Sequence, residues 1–570
     1  MNKYQWLRND TIDETAAGAL AAALAIPAAA ARFLVGRSIA DPAAAREYFQ
    51  PTLEHTHDPF LFERMREAVA LVQAAEKDGH VVLVHGDYDV DGISGAALLF
   101  HYLSGAFATV LRFVPDRRRD GYGVAERAIE WAIEQKVGLF IAVDCGTSDA
   151  ARLRRLEAAG IRVIVCDHHQ LPVDGDVAGV LLNPVRPGES YPFPSLCGTG
   201  VAYKLVQALA ASGVRGATEP ESLLDLVALA TVADMAPLVG ENRYFVRAGL
   251  SNINRAPRPG LEAIRNLARL SGSQITSRHL SFAFAPRLNA PGRVSRPKPS
   301  LEILCAGAKE RALQLAAILE EENDRRRTLT ERVQTEAIAA INGMPDRGER
   351  GGFVLANDAW NEGVLGIAAA RLVEQFGRPA ILMSPSNGLL KGSGRSIPGV
   401  NLKEHLDHFQ HRLVRYGGHA GAVGLTMEPA ELDRFAVDFS DRLREVVPPG
   451  SGVTLAIDSE LTIAECTIEL VDVLARCEPF GAGNAEPVWM LRDVQVARDT
   501  SLVGDGHLKL FFFDASGARA SAIAFGWDRP QSPEDLHGRS LDLAVTLRKT
   551  VYLGTAYPEL RVVDVRESGA

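Results

Sequence analysis

Val81-Val-Leu-Val-His-Gly-Asp-Tyr-Asp-Val-Asp-Gly92 is the stretch on which the fold turns. Four apolar residues run without a break into His85, Asp87, Asp89 and Asp91. A short apolar run bounded by turn residues reads as a strand buried on both faces. Three carboxylates at alternate positions directly after it repel one another unless cations neutralise them. A solvated acidic turn accounts for a polar loop, but not for its place at the mouth of a buried strand. An EF-hand loop fails at its twelfth position, where Leu98 stands instead of glutamate.

The same pattern recurs downstream. Leu139-Phe-Ile-Ala-Val-Asp-Cys-Gly146 delivers Asp144 into a glycine turn, and Arg162-Val-Ile-Val-Cys-Asp-His-His169 ends in Asp167, His168 and His169. Adjacent histidines point apart, so one can serve a metal while the other faces a substrate. Leu226-Val-Ala-Leu-Ala-Thr-Val-Ala-Asp-Met-Ala-Pro237 is apolar except at Asp234, and a lone acid there needs a partner. Between the strands at 81–84, 139–143, 162–166 and 180–182 lie amphipathic runs at 93–102 and 149–159. Strands alternating with helices predict a parallel sheet covered on both faces, with its site at the carboxyl ends of the strands. Oxygen and nitrogen donors without thiolates suit manganese and tolerate magnesium. At least four aspartates and a histidine predict two ions rather than one.

Around this core the 570 residues predict several domains. Residues 1–55 read as a helical lead-in and 56–250 as the catalytic α/β domain. Residues 251–345 read as a helical connector with a Pro-rich loop at 286–299. Residues 346–448 read as a second, smaller α/β domain and 449–570 as a strand-rich β-barrel. The alanine-rich run at 16–31 contains Pro27, follows Asp10, Asp13 and Glu14, and reads as helix rather than export signal. Six scattered cysteines without a C-x-x-C pair fit a reducing cytoplasm and argue against a zinc knuckle. No stretch predicts a membrane span.

The net charge is −10, so a polyanion partner requires a local basic stripe. Residues 241–300 supply one, with eleven Lys or Arg against two acids. Arg117, Arg118 and Arg119 sit in a turn-rich stretch with Tyr122. Arg287, Asn289 and Arg293 share the expected Pro-rich loop. Lys391-Gly-Ser-Gly-Arg-Ser396 and Tyr416-Gly-Gly-His-Ala-Gly-Ala-Val-Gly424 read as glycine-rich loops able to wrap an anion, with Ser393, Arg395 and His419 beside them. On the barrel, Lys509, Phe511, Phe513, Arg548, Lys549 and Tyr552 are candidates for base stacking and phosphate contact.

The blocks Asp-Tyr-Asp-Val-Asp-Gly, Asp-Cys-Gly, Asp-His-His and Val-Ala-Asp resemble, in their usual order, the four metal motifs of the DHH phosphoesterase superfamily. The resemblance implies a parallel-sheet DHH domain, a DHHA-type partner domain and a C-terminal OB-like barrel. It implies metal ligation by Asp89, Asp91, Asp144, His168 and Asp234, with Asp144 bridging two ions, Mn2+ above all and Mg2+ as a substitute. His169 would lie against the phosphate, with His85, Asp87 and Asp167 as supporting groups. In the single-strand exonuclease branch the positions of Ser393 and Arg395 hold a 5′ phosphate, aided by those of Arg117, Tyr122 and Arg293. The resemblance thus implies a 5′→3′ exonuclease releasing mononucleotides from single-stranded DNA in recombination and repair. It would work as a monomer alongside a helicase and a single-strand-binding protein. Two alternatives are a phosphoesterase of short oligonucleotides or cyclic dinucleotides, which would not need the basic connector and barrel, and a non-catalytic replication scaffold, which would not need the complete acid and histidine set.

Overall fold

The computed structural model describes residues 4–9, 11–172, 175–447, 453–527, 529–552 and 554–569, with the side chain of Tyr552 outside that set. The chain forms two compact units. One comprises Pro51–Leu329 with Pro479–Ala485; the other comprises Met1–Gln50, Thr330–Glu478 and Glu486–Ala570.

The first unit is built on a five-stranded parallel sheet: β1 (Val81–Gly86), β2 (Val110–Phe113), β3 (Val137–Val143), β4 (Arg162–Cys166) and β5 (Val180–Leu182), in the order β2-β1-β3-β4-β5. Every residue of the central β3 is buried. Helices cover both faces, as unbroken apolar strands require. Glu126–Glu134 and Ala150–Ala158 lie on one face. On the other lie α1 (Val90–Leu103), α2 (Gly198–Ala211) and α3 (Leu224–Ala233), all largely buried. Strand β2 was not expected from sequence: its Val-Leu-Arg-Phe run is four half-buried residues at a sheet edge. Helix α4 (Gly240–Arg255) packs on α3.

The connector corrects one expectation. Residues 286–294 are helical, not looped: Ser277–His279 continues through a π turn, Leu280–Phe284, into the helix Ala285–Val294. Pro286 lies just past the π turn, where Ala285 N donates back to Leu280 O and carries the helix through it. Pro291 removes one ladder bond without ending the helix.

In the second unit, the strands Phe353–Ala356, Ala380–Ser386, Leu389–Arg395, Ala422–Met427 and Leu413–His419 form one sheet, parallel only in its first pair. The two expected glycine loops are therefore strands. Gly392 and Gly394 sit mid-strand, where side chains of the neighbouring strands leave no room for a Cβ. A Cβ on Gly392 would lie 2.7 Å from Met383 Cγ, and one on Gly394 2.8 Å from Val423 Cγ2.

The barrel runs Trp489–Val496, Ser540–Tyr552, Thr555–Glu567, Arg519–Ala524, His507–Phe513 and closes through Gln495↔Phe513. Five strands closed in this way are the OB type of barrel. Leu508, Leu510 and Phe512 fill its interior, which leaves Lys509, Phe511 and Phe513 half-buried on the outer side. Arg548 and Lys549 are engaged by Glu486 and Asp472, each at 2.8 Å. The lead-in is not wholly helical. Tyr4–Arg8 is a strand, paired in parallel with Val453–Ile457.

Candidate metal centre

Three strand ends repeat one backbone device. Asp87 N donates to Val143 O, Asp144 N to Cys166 O and Asp167 N to Leu182 O, at 3.2, 2.9 and 3.1 Å. Each acid is the first residue past its strand and still continues the ladder, so the sheet itself sets the three carboxyls in register. The β1 end turns sharply into α1. Asp89 caps that helix, its Oδ1 accepting from Asp91 N at 2.9 Å. Gly86 and Gly92 cross so closely that a Cβ on Gly92 would lie 2.1 Å from Asp87 N. Asp144 holds a left-handed conformation, φ 62°, which L residues other than Asn and Asp rarely take.

The expected ligands converge. Asp87, Asp89 and Asp144 form one set of mutually close donor atoms, Asp91, His168 and Asp234 a second, and Asp144, Asp167, His168 and His169 a third. His168 Nε2 lies 3.1 Å from Asp144 Oδ1, 3.8 Å from Asp91 Oδ2 and 3.9 Å from Asp234 Oδ2. Asp167 orients the neighbouring histidines. Its Oδ1 accepts from His168 N at 2.8 Å and meets His169 Nδ1 at 2.7 Å, while Oδ2 accepts from Thr147 N at 3.0 Å. The other ring nitrogen of His169 meets the Tyr122 hydroxyl at 3.0 Å.

His85 lies apart from these sets. It is fully buried, accepts from Ala125 N at 3.2 Å, touches Cys145 Sγ at 3.5 Å and stacks on Phe113. Burial pulls its pKa down to about 3, so it is a neutral strut.

The electrostatics fit a cation. Burial and then the neighbouring acids push Asp87, Asp89, Asp144 and Asp234 upward, Asp234 to about 8. Asp87 Oδ1 is buried with no hydrogen-bond donor, an arrangement that an ion corrects. No arginine or lysine is ion-paired with these acids among the described residues. Burial also acts on Asp167 and His169, but their mutual hydrogen bond and charge prevail. Asp167 is held far below the carboxylate range and His169 is raised to about 9.

The expected DNA-binding residues divide. Arg117 reaches over the Tyr88 ring, 5.6 Å from its centroid, and the charges of Arg117 and Arg293 both act on Tyr88. A Cβ on Gly292 would lie 3.0 Å from Tyr88 O, so the end of the Ala285–Val294 helix abuts the metal loop. Arg287 instead pairs with Glu320, Nη2 to Oε1 at 3.0 Å, and Asn289 Oδ1 accepts from Val90 N at 3.1 Å. In the other unit, Arg395 Nη1 donates to Ser393 Oγ at 3.1 Å. The pairing His419↔Ala422↔Arg395 sets His419 and Arg395 at one end of their sheet. A Cβ on Gly366 would lie 2.8 Å from both Ser393 Oγ and Arg395 Nη2. Gly366 lies in the first turn of the helix Leu365–Phe376, so that helix N-terminus stands beside Ser393 and Arg395. Sequence reading missed Gly366; a glycine opening the apolar run between the strands at 353–356 and 380–383 was the available signal.

Family models match three segments: the DHH family N-terminal domain at 81–231, the DHHA1 domain at 350–445 and the RecJ OB domain at 457–564. Fold and site thus define a DHH phosphoesterase with a DHHA1 and an OB domain. The single-stranded-DNA-specific exonuclease RecJ of Dickeya dadantii is 32% identical, over 87% of this chain and 89% of that protein. RecJ of Escherichia coli is 32% identical over 83% and 85%, and RecJ of Bacillus subtilis 32% over 84% of this chain but 61% of that longer protein. The crystal structure of Thermus thermophilus RecJ in complex with Mn2+ superposes with a TM-score of 0.83 at 28% identity, covering all of this chain and 80% of that one. The Mg2+ complex gives 0.77 at 26%, with 100% and 79% covered. The chain belongs to the RecJ family of single-stranded-DNA-specific exonucleases.

Proposed function

We propose that the chain is a metal-dependent exonuclease that hydrolyses single-stranded DNA from the 5′ end, releasing 5′-mononucleotides in recombination and repair. The convergence of acids and histidines at three strand ends carries this reading. Family membership and the Mn2+ and Mg2+ complexes of Thermus RecJ support it.

Asp89, Asp91, Asp144, His168 and Asp234 would hold the metal, with Asp87 close enough to join them. A pair of bound divalent ions supplies Lewis acidity toward the scissile phosphate and lowers the pKa of the attacking water. The chain's own groups do the rest. The hydrogen bond and charge of Asp167 favour the protonated form of His169, and Nε2 is the atom that would donate a hydrogen bond to a phosphate oxygen. Asp167 fixes the ring, and Tyr122 places a hydroxyl beside the same nitrogen. Arg117 and Arg293 beside Tyr88 would hold the backbone next to the metal loop.

Ser393, Arg395 and the Leu365–Phe376 N-terminus would take the terminal 5′ phosphate, with His419 at the same sheet end. Such capture makes attack start at an end. Lys509, Phe511 and Phe513 would bind the strand farther along.

The work divides over residues 56–250 for catalysis, 251–345 as connector, 346–448 for end capture and 449–570 for strand binding, with 1–55 as lead-in. A helicase and a single-strand-binding protein would present the substrate to a monomeric enzyme in the cytoplasm. No helix among the described residues is long and apolar enough to cross a membrane.

Digestion of a 5′-labelled strand with Mn2+, beside a 3′-labelled copy, a blunt duplex and a circular strand, tests the proposal. Early release of the 5′ label alone is expected. Internal cuts in the circle, or cleavage restricted to dinucleotides, would overturn it.

A further inference from the structure

Helix α2 starts on one acid of the site. Gly198 N donates to Asp91 Oδ2 at 2.7 Å and Thr199 N to Asp91 Oδ1 at 2.8 Å. The Thr199 hydroxyl donates to the Asp91 main-chain carbonyl, also at 2.7 Å. Thr199 is fully buried and Asp91 nearly so. Both carboxylate oxygens and the backbone of Asp91 are therefore gripped by one helix end, whose dipole favours the negative charge. Asp87, by contrast, keeps one buried oxygen without any donor.

The amides would be there whatever residues opened the helix. The hydroxyl is the part the sequence chooses. It ties the first turn of α1 to the first turn of α2, and two glycines make the approach feasible. A Cβ on Gly95 would lie 3.1 Å from Thr199 Oγ1 and 2.3 Å from Val143 Cγ1. A Cβ on Gly198 would lie 2.7 Å from Asp144 Cβ.

Helix α2 is itself held from behind. Lys204 is completely buried, ion-paired with Glu241, and donates to His57 O at 2.8 Å. Glu241 also accepts from Tyr191 Oη at 2.5 Å and from His57 N at 3.0 Å. Asn242 Nδ2 donates to Ser195 O at 2.7 Å and to Pro237 O at 3.0 Å. The segment before α2 is thereby tied to the turn after Asp234. The fixed helix thus reaches Asp91 through two amides on its carboxylate and through the Thr199 hydroxyl on its backbone, and only the hydroxyl depends on the side chain.

We propose that Thr199 is a positioning residue for the metal. Its hydroxyl fixes the direction in which Asp91 presents its remaining lone pairs toward His168 and Asp234. It thereby sets how tightly that group of three takes up a divalent ion. The inference rests on the metal reading of the site given above. Partners that orient a ligand, without touching the ion, govern affinity by about ten- to a hundredfold.

The test is uptake of Mn2+ by the full chain, followed by calorimetry and by the electron paramagnetic resonance of the ion. Wild type, T199S, T199V, T199A and the D91N control are compared. T199S is expected to bind within about twofold of wild type. T199V and T199A are expected to bind about tenfold more weakly, with an altered resonance from the bound ion. The Mn2+ concentration for half-maximal cleavage should rise by the same factor, while KM for the strand stays put. Should T199V fail to fold, the T199A and T199S pair makes the same comparison. Wild-type titration by T199V and T199A, or equal weakening by T199S, would overturn the role of the hydroxyl while leaving the metal site standing. Absence of Mn2+ uptake by wild type itself would instead remove the metal reading, and this inference with it.

Discussion

The Tyr122 hydroxyl stands 3.0 Å from His169 Nε2, on the side of the ring opposite to Asp167. The two residues lie 47 positions apart, and Asp149 holds the loop of the first. Its Oδ2 accepts from Val124 N at 2.9 Å, pinning the end of the loop that carries Tyr122. In Tyr122→Phe the ring remains and the hydroxyl goes. One hydrogen bond to a charged group is worth about 1.5–3 kcal/mol, so kcat/KM on single strands should fall about ten- to a hundredfold, with Mn2+ affinity unchanged. Steady-state digestion with parallel metal titration checks this. Unchanged kcat/KM would detach Tyr122 from the chemistry.

Asp144 combines a carboxylate of the proposed metal site with φ 62°. Asp144→Asn removes charge but keeps a residue that tolerates the left-handed region. Asp144→Ala removes charge and adds a backbone cost of about 1–2 kcal/mol. Both should lose cleavage by at least about a hundredfold, and both should still bind a single strand. Thermal unfolding without metal should place the alanine variant below the asparagine one. An alanine variant with normal cleavage would refute the site.

Removal of metal should leave a fold whose stability depends on pH. Burial and neighbouring charge raise Asp234 to about 8 in the fold, against about 3.9 in an unfolded chain. A raised carboxyl stabilises fully below the unfolded value, and that contribution is lost as pH rises through the folded one. The metal-free protein should therefore weaken between about pH 4 and 8. Mn2+ at a hundred times its Kd adds about 2.7 kcal/mol, and it must displace the retained protons. The Mn2+-induced rise in Tm should be larger at pH 8 than at pH 6, and a pH-independent rise would contradict this account.

Arg287 and Arg395 should part company. Arg287 is mostly buried and held by Glu320, so Arg287→Ala should cost about 1 kcal/mol or more of stability and leave KM for the strand intact. Arg395→Ala should raise KM for a 5′-phosphorylated strand about tenfold, with little change for a 5′-hydroxyl strand. Chemical denaturation and digestion of the two substrates separate these outcomes. Equal loss on both strands would remove Arg395 from end capture.

The strand ends were legible because local chemistry overdetermines them. An unbroken apolar run followed at once by Asp87, Asp144 or Asp167 leaves few structures to choose from. The glycines were read wrongly for the opposite reason. Gly392 and Gly394 look flexible in sequence, yet they sit mid-strand because Met383, Ile381 and Val423 crowd them, and those neighbours come from other strands. Arg287 and Asn289 carried the right chemistry for phosphate, but Glu320 and Val90 N had first claim on them. Asp91 was read as a ligand from its motif, while its dependence on Thr199 was invisible, because 107 residues separate Asp91 from the helix that grips it.

Tyr4–Arg8 pairs with Val453–Ile457, and Trp6 Nε1 donates to Asp564 Oδ2 at 2.7 Å. A ribosome adding about 5–20 residues per second needs some tens of seconds to travel from one strand to the other. Throughout that interval the Tyr4–Arg8 segment has an open hydrogen-bonding edge and an unsheltered indole. Translation speed and chaperone attendance thus become determinants of yield, and slowing elongation should lengthen the period in which nascent chains can associate through that edge.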